Sequence, residues 1–306
     1  MNNIKVSVII TAYNMQKFIE QCLETVINQS LRDIEIICID DCSSDNTYNI
    51  LQHYKSIDNR ITIIKNNTNL GQSRSINLGL DLSKGEYIYL LDSDDYISNN
   101  FLYELYNTAI KYNSDITQTS NIVSVFYDDK LGGDYRIEYD NIITNLKNNV
   151  LYDKNIIEGD INFSIKNLNI GNYKNIDISP WNKIVKREFI LKNNLYFSYI
   201  ENLKDHINDF NFFYKLLYNN PKASYNHRVE YFHRFRNNSF MGATNNDINR
   251  IIAVIERMKD LFDYCYNKNS ELVQYITPRI FCGLKYNFDI MDNKKEIYKY
   301  IHNIRS

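Results

Sequence analysis

Residues 86–95 read Glu-Tyr-Ile-Tyr-Leu-Leu-Asp-Ser-Asp-Asp, an apolar run of strand length that delivers Asp92, Asp94 and Asp95 into one short turn. Closely spaced carboxylates repel one another and are costly to desolvate, so such a cluster at a strand's carboxyl end implies a neutralising cation. All-oxygen donors select a hard ion, Mg²⁺ or Mn²⁺, held through one or two carboxylates and the phosphates of a substrate. The competing reading is a solvated turn with a helix cap at Asp95, because aspartate favours turns and N-caps.

Upstream, the same order recurs three times. Val6-Ser7-Val8-Ile9-Ile10 is a β-branched run followed by Thr11-Ala12-Tyr13-Asn14 and a helical pattern carrying Phe18, Ile19, Cys22, Leu23, Val26 and Ile27 on one face. Ile34 to Ile39 ends at Asp40-Asp41-Cys42-Ser43-Ser44-Asp45 and leads into a helix from Thr47 to Tyr54. Ile61 to Ile64 passes through Asn69-Leu70-Gly71-Gln72-Ser73 into a helix bearing Ile76, Leu78 and Leu80. Strands alternating with helices at this spacing predict an α/β fold, a Rossmann-like, mostly parallel sheet with right-handed crossovers. Its ligand crevice lies beyond the carboxyl ends of the strands, where all four polar loops fall. The first turn has no glycine where G-x-G-x-x-G needs one, and no G-x-x-x-x-G-K-[ST] occurs, which argues against dinucleotide and P-loop chemistry.

With 44% hydrophobic and 24% charged residues and a net charge of −2, the 306-residue chain has no basic block suited to nucleic acid or a polybasic membrane anchor. Cys22, Cys38, Cys42, Cys265 and Cys282 form no C-x-x-C pair, consistent with reduced thiols in a cytoplasmic protein. No cleavable signal is evident, and no apolar run approaches the ~18 residues that span a bilayer. A soluble protein is expected, at most peripheral at the inner face of the cytoplasmic membrane.

Four motifs together resemble the family 2 glycosyltransferases of the A-type fold. They are Thr11-Ala12-Tyr13-Asn14, Asp40-Asp41-Cys42-Ser43-Ser44-Asp45-Asn46-Thr47, Asn69-x-Gly71-x-Ser73-x-x-x-Asn77-x-Gly79, and the segment from Gly85 to Asp95. The resemblance implies a nucleoside-diphosphate sugar donor, UDP in particular. It implies that Asp41 accepts a hydrogen bond from the nucleobase imide, that Thr11 and Tyr13, with Ala12 and Asn14 in the same loop, line the base pocket, and that Asn69 borders it. Asp92 would touch ribose or the cation, with Asp94 as direct metal ligand and Ser93 between them. Asp40 has a competing role as helix cap or loop brace. Two departures stand out: Cys42 replaces the usual Gly, so the backbone there is not expected to take positive φ easily, and Ile76 replaces Arg. Arg74 could reach the same base or phosphate, against the alternative of a solvated helical side chain.

The resemblance continues into Ser179-Pro180-Trp181-Asn182-Lys183, where Trp181 would either stack on a sugar ring or anchor the core. Asn208-Asp209-Phe210-Asn211-Phe212-Phe213 resembles Glu-Asp-x-x-Phe and implies that Asp209 is the general base. A helix start there would present its carboxylate to the crevice, with Phe212 and Phe213 buried behind it. Asp205 and His206 are the fallback base, and Asn208, in place of Glu, removes a like charge and is expected to lower the Asp209 pKa relative to family members. Tyr231 to Ser239 reads as a strand running into a loop. Arg234 and Arg236 share one side of it, suited to a departing diphosphate, with Ser239 donating to the same phosphates and His233 facing the other way as a structural residue. Residues 247–306 read as amphipathic helices, with Ile248, Ile251, Ile252, Ile255, Met258, Leu261 and Phe262 as the apolar stripe.

These expectations divide the chain into a nucleotide-sugar-binding half (1–120), an acceptor-binding and catalytic-base half (121–244) and a C-terminal helical extension (245–306). The implied activity is inverting, metal-dependent sugar transfer to a glycan or lipid-linked glycan acceptor in bacterial capsule or lipopolysaccharide synthesis. The rivals are a catalytically degenerate sugar-nucleotide-binding scaffold and a nucleotidyltransferase, the latter lacking here its Gly-rich, Arg/Lys-bearing first loop.

Overall fold

The computed structural model describes residues 4–128, 133–136, 158–161, 179–199, 209–236 and 248–274. The first half is β1 (Val6–Ala12), α1 (Ile19–Ile27), β2 (Ile34–Asp40), α2 (Thr47–Ile57), β3 (Ile61–Lys65), α3 (Gln72–Leu82), β4 (Tyr87–Asp92), β5 (Tyr96–Ile97) and α4 (Phe101–Tyr112). There follow β6 (Ile116–Gln118), β7 (Ile122–Asp128), β8 (Gly133–Arg136), β9 (Glu158–Ile161), β10 (Lys183–Lys186) and α5 (Arg187–Lys192). The last described elements are α6 (Asp209–Tyr218), β11 (Ala223–Asn226), β12 (Tyr231–Phe235) and α7 (Ile248–Asn269).

Eight strands form the main sheet in the order β3-β2-β1-β4-β10-β6-β11-β9. The four strands read from the sequence pair in parallel, while β10 runs antiparallel to β4 and β6 and β9 antiparallel to β11. Side chains of a strand alternate between faces, and both faces here are buried. Val6, Val8 and Ile10 join the core under α1, α2 and α4, whereas Ile9 joins the opposite core with Ile76 and Leu80 of α3 and Phe212, Phe213 and Leu216 of α6. Each fully buried aliphatic or aromatic side chain contributes about 1.5–3 kcal/mol by leaving water. That two-sided burial is why these strands are continuous β-branched runs.

A second sheet, β5-β12-β7-β8, sits beyond the turn that follows β4. β12 pairs antiparallel with β5, setting Phe232 opposite Tyr96, and parallel with β7. The long helix α7 packs on α6 through Met258, Leu261 and Cys265. The apolar stripe is narrower than expected: Phe262 is 38% exposed, because it lies on the outward side of the helix and stacks at 6.0 Å on Tyr266. The side chains of Ile248, Ile251 and Ile252 lie outside the described residues. Cys22, Cys38, Cys42 and Cys265 are free thiols. Among the described residues no helix is long and apolar enough to cross a membrane.

Candidate active site

Sheet register brings the expected loops together. In the β1–β4 pair Thr11 lies opposite Asp92, and in the β1–β2 pair Ala12 lies opposite Asp40, so the polar ends of three strands form one rim. Asn14 takes φ 55°, a left-handed conformation that asparagine tolerates, and binds the second loop from both ends: its N–H donates to Ser43 Oγ (3.0 Å) and its Oδ1 accepts from Ser44 N (2.9 Å). Tyr13, between them, is 45% exposed on the rim.

Cys42 departs from the expectation that a non-glycine residue would keep out of positive φ: it sits at φ 65°. The turn is fixed on both sides, by the Asp41 N–H on Ala12 O (2.8 Å) and the Ser43 N–H on Asp40 Oδ2 (3.3 Å), so the surroundings impose a backbone that costs an L-residue about 1–2 kcal/mol. Asp40 is therefore a loop brace, not a helix cap, and its buried Oδ1 has no partner among the described residues.

Asp41 is only 4% exposed, and its carboxylate ties the second loop to the third. Oδ1 accepts from Asn66 Nδ2 (2.7 Å) and Leu70 N (2.9 Å), and Oδ2 from Gly71 N (2.8 Å). Gly71 stands at φ 85°, which requires glycine, and its N–H also meets Asn69 Oδ1 (3.0 Å). Arg74, at the start of α3, places its guanidinium 4.2 Å over the Tyr199 ring. Ile76, about half a turn further, is buried in the core.

The Asp92–Asp95 turn faces these loops. Asp92 Oδ1 accepts from Gln72 Nε2 (3.1 Å), Ser93 is buried, and Asp94 Oδ2 lies 2.7 Å from Arg236 Nη2. Arg234 lies on the same side of β12 as Arg236, both guanidiniums stacking about 5 Å from the Phe18 ring. The two differ in burial: Arg234 is 3% exposed and donates to Asp94 O and to Gln21 Oε1, bracing the turn from behind, whereas the Arg236 side chain is 20% exposed. Asp95 is neither solvated nor a cap. It is 1% exposed and accepts from Tyr231 OH (2.5 Å) and Arg234 N (2.7 Å), with His233 Nδ1 at 3.1 Å. This aspartate staples β12 to the turn, and His233 faces away from the two arginines as expected.

Asp209 opens α6, and Phe212 and Phe213 are buried behind it. Burial pushes its carboxyl up to about 7, opposed by the charges of Arg257 and Lys183, and Oδ1 has no partner among the described residues. Asp92 is raised by burial and then by the charges of Asp95, Asp94 and Asp209, so Asp209 stands within electrostatic reach of the fourth-strand tip. Asp94 is likewise raised by burial and by Asp95, and held down by Arg236. Trp181 stacks on Tyr231 (4.3 Å) and His233 (5.1 Å), half-buried against the core. Ser239, Asp205, His206 and Asn208 lie outside the described residues.

Gln72, Gln21, Lys183 and Arg257 were not singled out by sequence. Gln72 stands one residue past Gly71, the loop glycine that starts α3, and could have been read from that position. Gln21 and Arg257 lie on helix faces that carry no motif.

The carboxylate pair suits a hard divalent cation. Asp92 and Asp94 are half-buried oxygen donors with surplus like charge around them, and such ions complete their shell with phosphate oxygens and water. Among the described residues no group of three or more His, Cys, Asp or Glu side chains could hold a metal without such help.

A sheet whose central strands run 3-2-1-4, with polar loops and an aspartate turn gathered at their carboxyl ends, defines the A-type glycosyltransferase fold. The model described as "Glycosyl transferase family 2" matches residues 7–191, and the chain belongs to that family of glycosyltransferases. A poly(ribitol-phosphate) beta-glucosyltransferase of Bacillus spizizenii is 39% identical over 116 residues, covering 37% of this chain and 18% of that one. The cholesterol galactosyltransferase of Borreliella burgdorferi is 34% identical over 199 residues, covering 62% of this chain and 50% of that one. The alignments span only 18% to 39% of the first four curated relatives. Among solved structures, S. aureus TarS 1–349 in complex with UDP-GlcNAc superposes with a TM-score of 0.67 at 20% identity, covering 94% of this chain and 73% of that chain.

Proposed function

We propose that this chain is an inverting, metal-dependent transferase that moves a sugar from a nucleoside-diphosphate sugar, UDP-linked, to a hydroxyl of a glycan or lipid-linked glycan in bacterial surface-polysaccharide synthesis. The observation that carries this reading is Asp209, a half-buried carboxylate at the start of α6 whose shielded Oδ1 has no partner among the described residues and whose charge acts on Asp92 of the aspartate turn. The UDP-GlcNAc complex of the TarS neighbour supports a uridine donor. Residues 1–120 take the donor and residues 121–244 the acceptor and the base, with α7 following them. The site works on the cytoplasmic side.

Thr11, Ala12, Tyr13 and Asn14 line the base pocket, with Asn69 at its border, and Asp41 Oδ2 retains a lone pair for the imide N–H. Asp94 and Asp92, with Ser93 holding the turn, would bind Mg²⁺ or Mn²⁺. When bound, the cation offsets charge on the diphosphate as the glycosidic bond breaks. Asp209 takes the acceptor proton, the acceptor oxygen bonds to the anomeric carbon from the face opposite the diphosphate, and the electron pair of the breaking bond leaves with the diphosphate. Arg236, one-fifth exposed, meets that developing charge, Arg234 fixes the turn, and Arg74 donates at its margin; Ser239, outside the described residues, is assigned to the same phosphates on the family resemblance alone. Trp181 flanks the sugar.

Transfer from UDP-[¹⁴C]sugars to surface-glycan fragments tests this assignment. Asp94→Ala and Asp209→Asn should each lower turnover by at least about 100-fold; near-wild-type turnover of either variant removes that residue from the scheme. Wild-type binding of UDP without turnover on any acceptor would favour the scaffold reading.

A further inference from the structure

Beside the rim lies a cleft of about 1060 Å³. One wall is a single face of α3, where Arg74, Asn77, Leu78 and Asp81 recur at helical spacing. The other wall is the stretch of α7 from Glu256 to Asn267, roughly 16 Å long at 1.5 Å per residue. One end of the cleft lies at the start of α3, directly after the Asn69–Gly71 loop of the rim, and the cleft extends along α3 from there. Its upper end is marked by Arg74, two residues into α3, and by Arg257, whose charge acts on Asp209.

The lining has the chemistry of a sugar-binding surface. Tyr196, Tyr199 and Tyr264 are held in place along it: the Tyr196 hydroxyl donates to Asp81 Oδ1 (2.8 Å), the Tyr264 hydroxyl donates to Asn193 O (3.1 Å) and accepts from Asn219 Nδ2 (2.9 Å), and Tyr199, 55% exposed, has the Arg74 guanidinium 4.2 Å over one ring face. The charges are mixed: Arg257 and Lys259 are matched by Glu256 and Asp263, so no field favours an anion or a cation. Alternating donors, acceptors and apolar ring faces match a neutral polyol. The floor is rigid. Lys215 Nζ donates to Asp260 Oδ2 (2.6 Å) and Ser198 Oγ (3.1 Å), and Asn211 Nδ2 to Arg257 O (2.6 Å), which locks α7 and the 194–199 segment to the helix that carries Asp209.

Resting on the transferase reading above, we propose that this α3–α7 cleft is an extended acceptor groove. It holds several consecutive pyranose units of a neutral glycan while the terminal unit reaches Asp209. α7 lies outside the family-matched residues 7–191, so acceptor choice would be carried by a part of the chain the family match does not include.

The test is calorimetric titration of the full chain, with UDP and Mn²⁺ present, against mono- to tetrasaccharides of the gluco, galacto and N-acetylgluco series. At least one series should bind more tightly with each added unit. Tyr199→Ala should weaken the tetrasaccharide at least fivefold, and Asp263→Ala, at an exposed position further along the groove, should weaken the tetrasaccharide and spare the disaccharide. UDP affinity should be unchanged in Asp263→Ala. A tetrasaccharide bound no better than its monosaccharide in every series, or bound equally by both variants, overturns the groove while leaving the transferase reading intact. Failure of the wild-type chain to bind UDP overturns that reading, and the groove's role falls with it.

Discussion

The Arg236 guanidinium lies 2.7 Å from the Asp94 carboxylate, so the end of β12 is held against the tip of β4 by a charge-assisted hydrogen bond. A carboxylate proposed to bind a cation therefore carries an internal counter-ion, and a guanidinium proposed to meet a diphosphate is already beside it. Charge-assisted bonds contribute about 1.5–3 kcal/mol. Arg236→Ala should weaken UDP binding in the presence of Mn²⁺ by roughly 10- to 100-fold, measured by calorimetry. Unchanged affinity would mean that this guanidinium does no more than brace the turn.

Asp209 must lose its proton to act as base, and burial places its carboxyl near 7. The kcat/KM profile should fall on the acid side with an apparent pKa near 7. A flat profile from about pH 5 to about pH 8, an interval that brackets this titration, would exclude Asp209 as the titrating base.

The same burial has a consequence for stability. A carboxyl whose folded-state pKa is raised contributes stability below its unfolded value, near 3.8, and loses that contribution as pH rises through about 7. Asp209→Asn removes the buried charge. The variant should therefore match wild type at pH 4 and exceed it at pH 8, by about 4 kcal/mol at most, in urea unfolding. A variant less stable at pH 8 would show that the carboxylate is held by favourable partners.

His227 shows the opposite sign. Burial lowers it to about 4, and its Nδ1 accepts from Ser120 N (3.2 Å), a bond only the neutral ring can make. Its contribution is present above about 6.5 and is lost as pH falls towards 4. His227→Gln should flatten the decline in stability across that interval; an unaltered decline would contradict the assignment.

Cys42→Gly should relieve the left-handed strain at φ 65° and raise stability by about 0.5–1 kcal/mol after the entropy of the freer unfolded chain is subtracted. A loss of stability in urea unfolding would mean that the Cys42 thiol, 3.6 Å from Asn67 O, holds the loop by more than its backbone.

The first half of the chain was legible because its strands are buried on both faces, so Val6–Ile10 and Ile34–Ile39 appear as runs rich in β-branched residues that end in polar turns. Asp209 at a helix start was legible from the Phe pair behind it. What escaped is tertiary. Asp95 looks like a turn residue in sequence, yet its partners Tyr231 and Arg234 arrive from β12, far along the chain. Arg234 and Arg236 are equivalent by strand alternation and both lie over the Phe18 ring; only their hydrogen bonds, Arg234 to Gln21 and the Asp94 carbonyl and Arg236 to the Asp94 carboxylate, distinguish the buried one from the one-fifth exposed one. Phe262 fits a helical stripe by spacing, but α6 covers a narrower arc of α7 than that stripe. The short strands β6 and β10 have too few residues to show a period.

The most direct test of the aspartate-turn account is UDP affinity measured by calorimetry with Mn²⁺ and again with chelator, for wild type, Asp94→Ala and Asp209→Asn. Wild type and Asp209→Asn should bind UDP at least tenfold more tightly with Mn²⁺, and Asp94→Ala should lose that gain. Equal affinity with and without the metal in wild type, or an undiminished gain in Asp94→Ala, would contradict a cation seated on the tip of β4.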